Sequence, residues 1–518
     1  MDDTTKSDKE SPKEITGIRF HLLMFGLFLV IFTAILDHSI LSAALGHIVS
    51  DFNALSEIAW LPASYMLTTT SLIPLYGKLS DIFGRRNTLL VALVIFIVGS
   101  ILCGMATSMA MLIGSRAFSG IGGGGLIALS IIIISDVVPL DQRGMYLSMT
   151  GIFFLLAATT GPLIGGVISD TISWRWNFFI NVPIGIIAMV IVWLFVSIPY
   201  SSGSLLAKLK RIDFLGALTI VLSTVLLLLG LNWGGKDYAW GSWQIGVTLG
   251  MSLFMFALFV IVEMHVAAEP LLPRSIFTRN VISANITNML NGFPFYVSIN
   301  YIPIYYQVVH SRSATMSAFE LLPMLCCITV ISALAGYYTA RTGRYRVFNV
   351  AGTFMILIGA VMAIFLRRDI TRTEEVMFAI LIGCGYGLCT QNCTILSQAA
   401  VAEEDVASVT ALLNFTANLG GVLGLAILGA VYKNSLAAHL LANLPDANQS
   451  LIGSTIQVAD ILSGDEMIMY RLSYTQALST TYLAMVPFCA ISFIATLFLK
   501  HIPLKSSEKQ DQSPQSKA

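Results

Sequence analysis

Two ionisable side chains lie inside stretches otherwise apolar enough to cross a lipid bilayer. Asp37 sits in Leu36-Asp37-His38-Ser39-Ile40, within an apolar run from about residue 22 to 45, and Arg116 sits in the run 111–135. A charge at that depth is costly and rare, and it ordinarily faces a water-filled path along which ions or substrate move. The inert alternative is a hydrogen-bonded carboxylate near the aqueous end of its helix. A carboxylate takes up and releases a proton, whereas arginine stays charged. Asp37 and Arg116 are therefore the candidate proton-coupling pair. His38, at i+1, points to another face of the helix. The sequence holds no HExxH, no phosphate-binding Gly-rich loop with Lys and no nucleophile–base signature, which argues against an enzyme and against ATP-driven movement.

The elements that position these charges follow from composition. The chain has 518 residues, 56% hydrophobic and 11% charged, with formal net charge +0 and mean hydropathy +0.79. Soluble domains carry roughly 25% charged residues, so this is an integral membrane protein, all-α by its apolar spans, whose partner is the lipid bilayer. Nothing resembles a nucleic-acid surface. Spans of about 20 apolar residues are predicted at 22–44, 58–77, 88–107, 111–135, 145–169, 177–198, 212–232, 243–264, 281–306, 318–339, 348–366, 375–397, 407–432 and 478–499. Fourteen spans put both termini on one side. Lys and Arg concentrate there, as in Lys78, Arg85, Arg86, Arg143, Lys208, Lys210, Arg211 and Arg344, which predicts cytosolic termini. Arg367, Arg368 and Arg372 are a local exception.

The predicted organisation is a cytosolic tail (1–20), a six-helix bundle (21–200), a linker with two additional helices (201–270), a second six-helix bundle (271–500) and a cytosolic tail (501–518). The second bundle includes a non-cytosolic loop (433–477), where Asn448-Gln449-Ser450 is a glycosylation sequon usable only from a secretory lumen. The seven cysteines fall in apolar segments, without metal-ligand spacing. They read as small buried side chains, so neither metal nor cofactor is predicted.

An internal repeat supports the two bundles. Gly77-Lys78-Leu79-Ser80-Asp81-Ile82-Phe83-Gly84-Arg85-Arg86 follows the second span. Gly336-Tyr337-Tyr338-Thr339-Ala340-Arg341-Thr342-Gly343-Arg344 follows the tenth, with Gly77/Gly336, Gly84/Gly343 and Arg85/Arg344 at equal offsets. Glycine permits close helix approach. Asp81 can pair with Arg85 or Arg86 in a network that holds one conformation and breaks in another. Ala340 replaces the aspartate in the second copy, so the charged latch is expected in the first half only. Parallel six-span repeats place substrate at the midplane between the halves.

These residues resemble the major facilitator superfamily, and within it the fourteen-span drug:proton antiporter branch (DHA2 type). Gly77 to Arg86 is similar to the family's loop motif. Leu36 to Leu45 is similar to the branch's first-span motif, with Ser39 and Gly46 where Thr and Pro are usual. Arg116-Ala117-Phe118-Ser119-Gly120 is similar to the fourth-span motif, with Ser119 in place of Gln. Gly151 with Gly161-Pro162-Leu163-Ile164-Gly165-Gly166 resembles the antiporter motif of span five, associated with exporters, in which Pro162 kinks the helix. Ser173 to Gly185 resembles a further branch motif and reads as an interfacial anchor.

The resemblance implies alternating access by a monomer that exchanges protons for drugs, toxins or other amphipathic molecules. It implies a plasma or vacuolar membrane, with vacuolar transport of basic amino acids as the alternative. Asn288, Asn291, Tyr305, Asn392 and Asn414 are the candidate substrate contacts, although amides within spans commonly serve as interhelical glue. No other deep acidic residue is expected in the second half. Glu320 reads as part of a capping box with Ser317, and Glu263 lies near a helix end.

Overall fold

The computed structural model describes residues 17–500 apart from 53, 55–56, 59, 197–203, 205–206, 209–210, 236–237, 268, 313, 367–371 and 445–463. Arg367, Arg368, the candidate Asn448 and most of both tails lie outside the described residues. The first bundle contains α1 (Ile18–Phe52), α2 (Trp60–Phe83), α3 (Arg85–Gly104), α4 (Met109–Val137), α5 (Leu140–Thr171), the short α6 (Trp176–Phe179) and α7 (Asn181–Phe195). Two additional helices follow, α8 (Phe214–Trp233) and α9 (Trp243–His265). The second bundle contains α10 (Arg279–Val308), the short α11 (Ala314–Phe319), α12 (Leu322–Thr342), α13 (Tyr345–Ala363), α14 (Arg372–Ala399), α15 (Val406–Asn443) and α16 (Asp465–Leu497). Among the described residues, 12 helices are long and apolar enough to cross a membrane. The long helices α2 and α10 pack in the same bundles but are richer in Ser, Thr, Tyr and Asn.

Local chemistry sets the helix ends. Ser108 Oγ accepts from Met111 N at 3.2 Å and Asp213 Oδ1 from Gly216 N at 2.9 Å, satisfying orphan donors at the starts of α4 and α8. Gly84 and Gly343, the second glycines of the repeated loops, both have left-handed φ values, +91° and +66°, a region that favours glycine.

The halves repeat each other in packing as well as in sequence. In each bundle the first span lies on the fifth and sixth, and the fourth lies on the second and third. Glycines make the fourth span's approach close. A Cβ on Gly122 of α4 would lie 2.5 Å from Phe96 N of α3, and one on Gly124 would lie 2.7 Å from Thr69 O of α2. In α14, a Cβ on Gly387 would lie 2.6 Å from Ile328 O of α12. Because lipid is as apolar as leucine, such packing carries the association. Gly122→Leu is expected to cost about 1–3 kcal/mol by overpacking, read as a lower thermal midpoint of the purified protein.

Three observations revise the sequence reading. Helix α15 continues to Asn443 and α16 begins at Asp465, so only 444–464 lies between them, not 433–477. A chain rich in Leu and Ala sustains the helix past the apolar window. Instead of starting a span at 318, Ala314–Phe319 forms a separate short helix. Glu320 then turns to an ion pair with Arg372 rather than capping a helix.

Candidate functional site

Asp37 and Arg116, 79 residues apart, meet inside the first bundle. Arg116 Nη1 donates to Asp37 Oδ2 at 2.5 Å, and both side chains are fully buried. Asn181 Nδ2, at the start of α7, donates to Asp37 Oδ1 at 2.9 Å. The Arg116 guanidinium lies 4.4 Å from the ring centre of Tyr65 and 5.9 Å from that of Phe178. Its Nε and Nη2 have no hydrogen-bond partner among the described residues, so the two aromatic faces share the work of dispersing its charge. A buried pair of this kind is strongly destabilised when only one partner is removed. Asn181 and Tyr65 were not legible as members of this cluster. Asn181 sits in the stretch that reads as an interfacial anchor. The true anchor lies earlier in it: Asp51 accepts from Trp174 Nε1 at 3.1 Å and Arg175 Nη1 at 3.0 Å. Those two hydrogen bonds hold the Asp51 carboxyl below the usual carboxylate range.

The span-five residues adjoin this cluster. Ser39, two residues past Asp37, donates to Ala157 O of α5 at 2.9 Å. A Cβ on Gly161 would fall 2.8 Å from Ser39 Cβ, so this glycine lets α5 pass close to the helix that carries Asp37. Gly165 contributes its carbonyl to Asn177 Nδ2 at 3.2 Å. Gly151 faces the other half, its carbonyl accepting from Thr329 at 3.1 Å. Pro162 lies within α5, and nothing approaches within 4 Å of a Cβ placed on Gly166.

The loop residues form a charged network, the candidate gate, at the end of the molecule that carries the N-terminus of α1. Arg85 ion-pairs with Asp81 and bonds Asp136 Oδ2 through Nε at 2.7 Å. Arg86 instead lies 5.8 Å over the Trp193 ring. Burial pushes the Asp81 carboxyl upward against the pull of Arg85. Lys78 bonds Glu269 at 3.0 Å, and Glu269 bonds Arg211 at 2.7 Å, tying the gate loop to the segments flanking α8 and α9. The hydrogen bonds from Arg211 and Lys78 hold the Glu269 carboxyl below its usual range.

The first glycines of the repeat both lie where the halves touch. A Cβ on Gly77 would lie 2.9 Å from Ala411 Cβ of α15, and one on Gly336 would lie 2.5 Å from Ser148 Oγ of α5. Ser148 Oγ also donates to Ser332 O at 2.8 Å. Gln398 is the polar hub of this closure. It is buried, donates to Ser135 Oγ at 2.8 Å and Thr410 Oγ1 at 2.9 Å, and accepts from Arg143 Nη1 at 3.3 Å. Nothing in the sequence separates Gln398 from other amides near span ends. Gln398→Leu removes two hydrogen bonds between the halves, to Ser135 and from Arg143, of about 1 kcal/mol each. It is therefore expected to raise alkylation of a Ser332→Cys reporter from the gate side about tenfold or more.

The candidate substrate residues are dispersed within the second bundle. Asn288 donates to Leu413 O at 3.0 Å, Asn291 accepts from Ser492 at 2.8 Å and Asn392 accepts from Thr339 at 2.8 Å. All three are buried. Tyr305 donates to Glu375 at 2.9 Å. Asn414 is half-buried and donates to Thr410 O at 2.9 Å. Where the halves meet beyond the gate, Phe154 of α5 lies 6.3 Å from Phe295 of α10, which stacks on Tyr386 at 4.3 Å. Tyr296 donates to Asn418 beside it at 3.2 Å.

Two pseudo-symmetric helical bundles, the first of them holding a buried charge pair, and the family and relatives that follow mark a multi-pass membrane transporter rather than an enzyme. Residues 27–425 match the Major Facilitator Superfamily, and the chain belongs to that family. It is 31% identical over 512 residues to the "Efflux pump FUS6" of Gibberella fujikuroi, covering 96% of this chain and 92% of that protein. It is likewise 31% identical to the "Multidrug transporter protein MdtP" of Bacillus subtilis, covering 96% of each. The fold is similar to the human organic anion transporter MFSD10, with TM-score 0.62 and 14% identity over 93% of this chain and 100% of that one. It also resembles a bacterial homolog of the lysosomal transporter Spinster, with TM-score 0.55 and 17% identity over 93% and 98% of the two chains.

Proposed function

We propose that this protein is a proton-coupled exporter with fourteen spans and cytosolic termini that moves drugs, toxins or other amphipathic small molecules out of the cytosol. The observation that carries the reading is the buried Asp37–Arg116–Asn181 cluster beside the close α1–α5 contact at Gly161. The efflux and multidrug names of its relatives support the direction of transport. With the termini in the cytosol, the gate at Gly77 and Gly336 is the cytosolic one, and it is closed.

In this state Asp37 is ion-paired. Protonation from the outer solution neutralises it, removes the Coulombic tie to Arg116 and leaves the hydrogen bonds to hold α1 against α4 and α7. That change biases the bundle toward the other facing, where cytosolic substrate and proton release restore the pair. One proton moving inward supplies about 2.3 kcal/mol per 100 mV and about 1.4 kcal/mol per pH unit. Concentrating a neutral solute tenfold costs about 1.4 kcal/mol, so one proton per cycle is sufficient. Substrate rests on the aromatic floor of Phe154, Phe295 and Tyr386, with Asn414, Asn418 and Tyr296 as polar contacts. The amides of Asn288, Asn291 and Asn392 shape that floor from behind. Such a surface, apolar with few polar anchors, suits bulky amphipathic ligands.

The test is transport in sealed vesicles under an imposed pH gradient, with a lipophilic cationic dye, an azole-like drug, arginine and lysine. Gradient-dependent movement of dye or drug supports the reading. Movement of arginine or lysine alone replaces it with vacuolar transport of basic amino acids.

A further inference from the structure

A second buried carboxylate lies far from Asp37, at the end of the second bundle opposite the gate. Glu375, at the start of α14, is 3% exposed. Its Oε1 meets His310 Nε2 at 2.6 Å and accepts from Tyr305 Oη at 2.9 Å, while its Oε2 faces Arg372 Nη1 at 3.4 Å. Arg372 also pairs with Glu320 and lies 5.3 Å over the Tyr306 ring. These groups and Arg312 surround a cavity of about 200 Å³, lined by Tyr306, His310, Arg312, Arg372 and Glu375. That is ample room for water to carry a proton in.

The turn holding His310 is strained. Ser311, directly after it, has φ +52°, the one left-handed non-glycine residue among those described, a conformation that L side chains resist. Arg471 Nη2 of α16 secures it by donating to Ser311 Oγ at 2.6 Å. The strained turn is thus pinned on one side by a permanent cation and on the other by a histidine, a side chain that can gain or lose a proton.

We propose that His310 and Glu375 form a proton-binding site, separate from Asp37, whose occupancy sets how tightly the turn after α10 is held to α14. With His310 protonated, the ion pair ties the turn to the buried carboxylate. With His310 neutral, Tyr305 and Arg372 still compensate Glu375, the charge tie is lost and the strained turn loosens. The charged and titratable groups facing the pair are Tyr305 and Tyr306 from α10, Arg312 from the turn, Glu320 from the turn before α12, Arg372 and Glu374 from α14 and Arg471 from α16. Because α10 also carries Phe295 and Tyr296, the mouth of the second bundle responds to the pH of the solution it faces.

Hydrogen exchange of the full-length protein in lipid nanodiscs tests this without reference to substrate. After correction for the pH dependence of chemical exchange, uptake by peptides spanning 306–320 is expected to rise about threefold or more from acidic to alkaline pH. His310→Gln is expected to abolish that rise, whereas Asp37→Asn is expected to leave it intact. Should H310Q not purify as a monodisperse protein, Glu375→Gln removes the same tie from the other side and is expected to flatten the profile equally. A pH-independent turn in the native protein, or a rise that persists in His310→Gln or Glu375→Gln, would overturn the proposal.

Discussion

Asp37→Asn is expected to abolish uphill transport while sparing exchange. A one-unit pH gradient supplies about 1.4 kcal/mol per proton, which sustains about tenfold accumulation. In the variant the gradient has no carboxylate to act on, so the accumulation ratio falls to about one. Counterflow of labelled for unlabelled substrate, which requires facing changes but no net proton movement, is expected to persist. The protein is expected to fold, because asparagine keeps the size of the side chain and a carbonyl acceptor for Arg116. The guanidinium also remains against Tyr65 and Phe178. Arg116→Leu is a harsher change. It leaves a carboxylate buried without its cation, a loss of about 3–5 kcal/mol, and is expected to reduce the yield of folded protein. Counterflow lost in Asp37→Asn with folding intact would mean that the carboxylate serves the conformational change itself rather than proton coupling.

If the contact at Gly77 and Gly336 is the gate proposed above, Gly336→Val is expected to hold it open. The added side chain would overlap Ser148 Oγ and the backbone of Gly144, where α12 and α5 approach most closely. Neither position can yield cheaply, because Gly144 O is backbone and Ser148 is already bonded to Ser332. Overpacking of about 1–3 kcal/mol that acts only when the gate is closed shifts the facing equilibrium by roughly five- to a hundredfold. Alkylation of a Ser332→Cys reporter from the gate side is expected to rise accordingly, and net transport to fall. Gly144→Val, on the opposite side of the same contact, is expected to do the same. Gly46→Ala, where no atom lies within 4 Å of the added Cβ, is the control for nonspecific effects of losing a glycine.

Much of this molecule was legible in its sequence because membrane burial leaves few permitted patterns. Apolar windows located the helices, and two charges inside such windows had to find each other or water. Asp37 and Arg116 found each other. The repeated Gly-x6-Gly-Arg loops revealed two equivalent halves, and the structure gives both second glycines a positive φ and both first glycines matching cross-half contacts. What escaped was polar chemistry whose partners are distant in sequence and ordinary in type. Asn181 completes the cluster from within an aromatic stretch that signals an interface. Gln398 joins the halves, yet its local pattern matches that of any interhelical amide. Glu375 borders the Arg-containing segment 367–372, and that company suggests a solvated loop. Only the return of α10 beside α14 reveals the carboxylate as buried against His310. The candidate amides Asn288, Asn291 and Asn392 show the converse ambiguity, since binding and interhelical packing call for the same residue type at the same depth.

The measurement that tests the central claim most directly is proton release on substrate binding. Purified protein in weakly buffered detergent solution, with a pH indicator, receives a panel member that the vesicle assay has shown to move. With the protein first equilibrated at a pH acidic enough to protonate Asp37, the account predicts release approaching one proton per substrate bound by the native protein, and none from Asp37→Asn at equal occupancy. Binding without release in the native protein, or equal release from Asp37→Asn, would contradict it.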